Sequence, residues 1–510
     1  MNIKQAKQEI ANTLKAYLAK DGLGNYLIPP VRQRPVLLMG PPGVGKTQIM
    51  EQVAAETGVG LVAYTITHHT RQSAVGLPFI EKRTFGGEEF SVTEYTMSEI
   101  LASVYSLMEK TGLEEGILFL DEINCVSETL APMMLQFLQC KTFGNQRLPE
   151  GWLIAAAGNP PEYNRSVRDF DVVTLDRVKR IDVVEDFAVW KEYARAKGLH
   201  GAVVSYLDIK KKNFYRVESS AEGIQFATAR GWEDLSELLT VYETLGLRMD
   251  REVVGQYIQL PRVARDFANY LELYNKYRKI YHVDDILRGA WQPITVRELR
   301  AAPFDEKLSV MGLLLSRLSE AARETRRRDA LCERLHAALT EFKEALAAGE
   351  KPAEVLETLA AGRRAALKRA RDAGQLEKQR QTLAQTEINA LEDYRRRLIQ
   401  ESPAESEAAM AAVRGWFGAE VEQRAAQAKG TREELDHAFA FLEETFGQGQ
   451  ELVLFVTELT AGADTSWFIE QFGCDAYFRH NRELLFDDSQ RRIREEIIAA
   501  KAAEQEETDD

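Results

Sequence analysis

The chain has 510 residues, of which 45% are apolar and 28% charged, and its 65 Lys plus Arg against 79 Asp plus Glu leave a net charge of −14. At roughly 150 residues per domain this length holds about three to four units, and the apolar share excludes disorder throughout. The acidic balance excludes a bulk basic footprint for nucleic acid, though not a local patch. Cys125, Cys140, Cys332 and Cys474 stand far apart, in no disulfide or metal spacing, and read as reduced thiols. The apolar runs at 152–157 and 452–456 fall far short of the ~18 residues that a membrane span needs. Residues 1–20 carry charges throughout and lack a signal-peptide core. A cytoplasmic, multi-domain chain with no membrane span is the expectation.

In chain order, Ile3, Ile10, Leu14, Tyr17 and Leu18 share one helical face, predicting a helix over 3–20 that stops at Gly22 and Gly24. Short apolar runs at 36–39, 61–66, 117–120 and 152–157 then alternate with helical stretches. Such runs fit buried strands of a parallel sheet with helices on both faces. Between the second and third runs, residues 79–84 and 88–92 flank Phe85-Gly86-Gly87, a β-hairpin pattern. Residues 141–147, turning at Gly144-Asn145, are a second hairpin candidate.

From about 184 the pattern turns helical and stays so. Trp232, Leu235, Leu238 and Leu239, then Phe267, Tyr270, Leu271 and Tyr274, recur at three- and four-residue spacings. Gly289, Pro293 and Pro303 mark a boundary near 290–305. The Ala/Glu/Arg/Leu-rich region beyond is expected to break at Gly349, Pro352, Gly362, Gly374 and Pro403. Its stripe of Ala384, Ile388, Leu391, Tyr394 and Leu398 suits a coiled-coil hairpin and a packed bundle equally. The acidic tail over 504–510 is expected to fray. Three domains are predicted: an α/β domain over 1–190, a helical one over 191–295, and an α-helical C-terminal region over 296–510.

The strongest chemical signal is Gly40-Pro41-Pro42-Gly43-Val44-Gly45-Lys46-Thr47, which fits G-x-x-x-x-G-K-[ST] between a strand at 35–39 and a helix beginning at Gln48. Glycines let backbone N–H groups surround a phosphate at the positive end of that helix. Lys46 suits the β- and γ-phosphates, and the Thr47 hydroxyl suits Mg²⁺. Asp121 and Glu122 end the strand at 117–120, on the edge where sheet ligands bind. One carboxylate holds Mg²⁺, which suits Asp121; the next polarises the attacking water, which suits Glu122. Asn159, in Gly158-Asn159-Pro160-Pro161 after the strand at 152–157, is placed to orient that water, although Asn before Pro is also ordinary turn chemistry.

Other features carry less. His68-His69 have no carboxylate or third His at a metal spacing and read as loop or core histidines. Cys125 follows the acidic pair closely but has no His-based nucleophile system in sequence, and reads as a packed thiol. Acidic residues flank Arg326-Arg327-Arg328 and Arg395-Arg396-Arg397, so both runs read as solvated helix faces. The cluster of 452–456, Trp467, Phe468, Phe472, Tyr477 and Phe478 is either a small core or a docking surface.

Taken together, GPPGVGKT at 40–47, LFLDEIN at 118–124, AAGNPPE at 156–162, TLDRVKRI at 174–181 and ATARGWEDLSELL at 227–239 resemble, in order, the MoxR family of AAA+ ATPases. The resemblance covers roughly 30–290 and implies a P-loop AAA+ core followed by an all-α lid, hexameric rings, and ATP held between neighbours. It makes Asn159 the sensor-1 residue and Arg230, in Thr228-Ala229-Arg230-Gly231-Trp232, the sensor-2 residue at the start of a lid helix. Arg177, in Leu175-Asp176-Arg177, becomes the finger reaching a neighbour's γ-phosphate. Val178 replaces the family's usual Phe there, and Arg165, Arg168 and Arg180 compete for the role. The hairpin at 79–92 would sit near the ring pore and meet a client through Phe85, or merely pack. The implied activity is Mg²⁺-dependent ATP hydrolysis driving chaperone-like remodelling, assembly or cofactor maturation of a protein, expected to carry a von Willebrand factor A-type (VWA) domain. A nucleic-acid-linked motor and an ATP-dependent scaffold stand as alternatives; the acidic balance argues against the first and Glu122 against the second.

Overall fold

In the computed structural model the first four apolar runs form neighbouring strands. Residues 1–482 are described, except 69–73, 75, 144–145, 164–166, 168–169, 221–222, 376–377 and 402–405. The chain divides into two units: Met1–Val189 with Thr228–Arg230 and Ala338–Met410, and Trp190–Ala227 with Gly231–Ala337 and Ala411–Asp510.

The first unit begins with α1 (Ile3–Leu18), β1 (Val36–Met39), α2 (Lys46–Thr57), β2 (Gly60–Thr65), β3 (Pro78–Phe85), β4 (Glu88–Tyr95) and α3 (Glu99–Thr111). It continues through β5 (Gly116–Asp121), α4 (Ala131–Cys140), β6 (Thr142–Phe143), β7 (Gln146–Arg147), β8 (Trp152–Gly158), α5 (Val172–Leu175) and β9 (Lys179–Asp182). Five strands form a parallel sheet in the order β2-β5-β8-β1-β9. Because successive side chains leave a strand on opposite faces, each strand feeds two cores. Val36, Leu38, Ile117 and Phe119 pack with Ile10 and Leu14 of α1 and with Ile49 and Val53 of α2. Leu37, Met39, Leu118 and Leu120 pack with Ile100 and Val104 of α3 and with Met134 and Phe137 of α4. The expected parallel sheet with helices on both faces is what forms.

The charged run Lys179-Arg180-Ile181-Asp182 is the fifth strand, with only Ile181 buried, which is why hydrophobicity does not flag it. The hairpin β3–β4 turns at Gly86 (φ 61°) and Gly87 (φ 91°), the doubly left-handed turn that glycine supplies. Strands β6 and β7 form the second expected hairpin, with its Gly144-Asn145 turn outside the described residues.

The helical part contains α6 (Phe187–Lys197), α7 (Gly201–Ile209), β10 (Arg216–Ser220), β11 (Gly223–Ala227), α8 (Ala229–Leu245), α9 (Arg251–Tyr257) and α10 (Pro261–Ile280). Beyond these come α11 (Val283–Leu287), α12 (Pro293–Ala301), α13 (Phe304–Ala347), α14 (Pro352–Asp372), α15 (Lys378–Glu401), α16 (Ser406–Phe446), α17 (Gln450–Ala461) and α18 (Ala463–Phe472). Two expectations are corrected. The region after 184 is not helical throughout, because β10 and β11 form an antiparallel ribbon of mostly half-buried residues in which polar side chains interrupt Val217, Ile224 and Phe226, so no apolar run marks it. Gly362 does not break α14, since an open helix face tolerates one glycine at about 1 kcal/mol relative to Ala. The tail over 504–510 lies outside the described residues.

In the second unit Tyr206, Trp232 and Phe267 form an aromatic centre with ring centroids 5.2–5.6 Å apart. Leu452, Phe455, Val456, Phe468 and Tyr477 are buried, so the C-terminal apolar cluster is chiefly core, although Phe478 is exposed. Among the described residues no single helix is long and apolar enough to cross a membrane.

Helices α14 and α15 pair in the first unit through Leu356, Leu359, Ile388 and Leu391. The hairpin's tip meets the outer edge of β2: Leu61 N–H donates to Ala373 O at 3.2 Å, and Gln375 Nε2 donates to Val59 O at 2.8 Å. At the opposite edge, Val184 N–H donates to Met1 O at 2.9 Å and the Met1 ammonium to Asp182 O at 2.7 Å. Each edge of the sheet is therefore met at one end, β2 at Leu61 and the preceding Val59 and β9 at Asp182, which hinders strand-to-strand association there. Ile388→Asp, placing a charge in the buried hairpin seam, is expected to cost about 3–5 kcal/mol in that element. Hydrogen exchange at Leu61 and light scattering should both rise as the β2 edge opens.

Candidate functional site

Strand β1 runs directly into the loop 40–45, beside the end of β8, with β5 on the far side of β8. Gly43 (φ 76°) and Gly45 (φ 93°) adopt left-handed backbone that a Cβ would strain. Gly45 is the N-cap of α2 and brings no side chain to cap it, the arrangement that suits an anion at a helix N-terminus. Lys46 is 8% exposed. Its ammonium donates to Gly40 O and Pro41 O, each at 2.8 Å, and to Asn159 Oδ1 at 2.9 Å. Burial pushes its pKa down to about 8; Asp121 and Glu122 pull it up, and Arg230 presses it lower.

Thr47 Oγ1 donates to Asp121 Oδ2 at 2.8 Å, and Asp121 Oδ1 accepts the N–H of Glu122 at 2.9 Å. A hydroxyl and a carboxylate oxygen side by side fit Mg²⁺, which fills its remaining positions with water and phosphate oxygens. Glu122 sits in left-handed backbone (φ 56°, ψ 37°), uncommon for a side chain of its size, and opens the 3-10 turn Ile123–Cys125. Asn124 on that turn donates from Nδ2 to Asn159 O at 2.8 Å. Arg230 borders the same loop, since a Cβ on Gly43 would lie 3.3 Å from its Cβ. The fold thus brings together Lys46, Thr47, Asp121, Glu122, Asn159 and Arg230.

Arg177 is placed differently. It is exposed just after α5, and its Nη1 donates to Gln139 Oε1 on α4. Arg180 pairs with Asp182 at 2.8 Å, and Arg165 and Arg168 lie outside the described residues. His69 and the side chain of His68 lie outside them too. Among the described residues no group of three or more His, Cys, Asp or Glu is arranged for a metal ion. Cys125 is half-buried. Both arginine runs are ion-paired: Arg326 with Asp464 at 3.1 Å, Arg327 and Arg328 with Glu324 at 3.4 Å, Arg395 with Glu357 at 2.9 Å, and Arg397 with Asp393 at 2.7 Å.

A cavity of about 720 Å³ lies within the second unit, and its charges are largely paired with one another. Lys191 pairs with Asp208 and with Glu458 at 2.9 Å, and His200 hydrogen-bonds Glu243 at 3.3 Å. Asn124 and Gln139 are the site residues that sequence reading passes over. Asn124 stands within the stretch 118–124, whereas Gln139 carries no local signal.

Residues 36–175 match the family model AAA, the ATPase family associated with various cellular activities. The match runs from β1 through α5 and includes Lys46, Thr47, Asp121, Glu122 and Asn159. No curated protein gives a significant match.

A polyphosphate in this loop would hold Lys46 fully protonated, so binding near pH 8 should take up about half a proton per site. Uptake should shrink towards pH 7 and grow towards pH 9. Calorimetry of ATP binding in buffers of different ionisation enthalpy measures it, and Lys46→Met should abolish it.

Proposed function

Taking residues 36–175 as an AAA ATPase domain, we propose that the chain is a Mg²⁺-dependent ATPase of MoxR type that acts on a protein partner from within a ring. The observation carrying the ATPase reading is the buried Lys46 ammonium, solvated by Gly40, Pro41 and Asn159, with the Thr47–Asp121 oxygen pair alongside. In this reading the loop Gly40 to Thr47 and the first turn of α2, including Gln48, receive the phosphates of ATP. Lys46 exchanges part of its oxygen shell for them. Mg²⁺, held by Thr47 and Asp121, would neutralise phosphate charge. Glu122 accepts a proton from the attacking water while Asn159 orients it.

Arg230 reaches the γ-phosphate within the same subunit, and Arg177 exchanges Gln139 for the phosphate of a neighbouring copy. Loss of these two contacts after hydrolysis shifts lid and ring. The reading takes a hexamer, a cytoplasmic location and a VWA-domain client from the family resemblance. The exposed β3–β4 hairpin, with Phe85 55% exposed, is its candidate client contact. The ion-paired arginine runs give no support to a nucleic-acid motor.

Glu122→Gln should retain ATP binding and lose about 10²–10⁴-fold in turnover, whereas Lys46→Ala should lose binding as well. Turnover equal in wild type and Glu122→Gln would favour a scaffold. Captured from native extract with Mg²⁺-ATP against the Lys46→Ala control, Glu122→Gln should enrich a VWA-domain protein; enriched nucleic acid would favour the motor. Mixing Arg177→Ala with Lys46→Ala subunits should restore part of the hydrolysis that each lacks. Normal hydrolysis by Arg177→Ala alone would remove the finger role.

A further inference from the structure

We propose that Asn124 is a positioning residue for hydrolysis, holding Asn159 in register with Asp121 and Glu122; this rests on the ATPase reading above. Asn124 is 3% exposed and lies two residues beyond Glu122 in the turn Ile123–Cys125. Its bond from Nδ2 to Asn159 O fixes which way the amide faces. That orientation leaves Asn124 Oδ1 buried, with no hydrogen-bond partner among the described residues. A buried acceptor of this kind is costly, so packing alone gives no reason for an amide here. Gly158 makes room for it: a Cβ there would lie 2.6 Å from Asn124 Oδ1 and 2.9 Å from its Cγ. Gly158 does not have left-handed backbone, so its service is space rather than conformation.

Three bonds meet at residues 158 and 159. Gly40 N–H donates to Gly158 O at 3.3 Å, Lys46 donates to Asn159 Oδ1, and Asn124 donates to Asn159 O. Asn159 is thus held twice, its side chain by Lys46 and its backbone by Asn124. When a substrate phosphate engages Lys46, the first tie loosens and the second remains. The paired register of β5 and β8 ends at Leu120↔Ala156, and Asn124 carries the link between these strand ends past that point. Because Asn124 shares a turn with Glu122, the same bond sets the spacing between the group that takes the proton and the group that orients the water.

The test uses the full chain with Mg²⁺-ATP. Asn124→Leu keeps much of the shape, removes the donor and deletes the orphan acceptor. Its kcat should fall about 10–100-fold, the size of effect typical of residues that orient an active group. KM and affinity for a fluorescent ATP analogue should stay within about twofold, and the Tm should change little, because losing the orphan Oδ1 offsets leaving Asn159 O without its donor. Asn124→Asp, nearly isosteric but turning an oxygen towards Asn159 O, should lose at least as much. The double variant Asn124→Leu, Asn159→Ala should be no slower than Asn159→Ala alone, because the first residue acts through the second. Full kcat in Asn124→Leu, a lowered Tm with kcat intact, or multiplying losses in the double variant would each overturn the proposal. A wild-type chain no faster than Glu122→Gln would instead overturn the ATPase reading, and this proposal with it.

Discussion

An ammonium taken out of water must be solvated by something else, and the placement of Lys46 follows from that requirement. Among the described residues no carboxylate touches it; two loop carbonyls and one amide oxygen do. Holding those three oxygens around one nitrogen requires β1 and β8 to be neighbours, with β5 beside them to bring Asp121 to Thr47. The strand order provides this, and the two cores, one on each face, hold the strands at that spacing. The charge is kept close to its titration point, so an arriving anion is met by a group that gains from its arrival.

The elements that can be read from the chain are those whose physics is local. Buried strands announce themselves as apolar runs, the Gly86-Gly87 turn by the backbone it permits, and the phosphate loop by glycines, Lys46 and Thr47 in fixed spacing. Strand β9 and the ribbon β10–β11 escape because they are short and bury only Ile181 and Ala227 outright, so hydrophobic period carries little information about them. Asn124 escapes for another reason. Its partner is a backbone carbonyl 35 positions away, and only the folded sheet makes them neighbours. Gln139 beside Arg177 is a contact of the same kind.

The arginine runs show how little a local charge count decides. Tripled arginines suggest a basic surface, yet carboxylates from the same helix or a packed neighbour meet most of them. Exposed pairs of this sort contribute about 0–1 kcal/mol each to stability, but they cancel the local field that would draw a polyanion. The net charge of −14 is then a fair summary of what a distant ligand meets.

The contacts at the two edges of the sheet also set an order of events during synthesis. Met1 is made before the strand it lies along, so that edge can close as soon as β9 emerges. The other edge waits for Ala373 and Gln375. Roughly 190 residues separate Asp182 from that tip, which at about 5–20 residues per second is about 10–40 s of translation. For that interval a nascent chain would carry a finished sheet with one bare strand, and a ribosome-associated chaperone would find β2 there before the hairpin does.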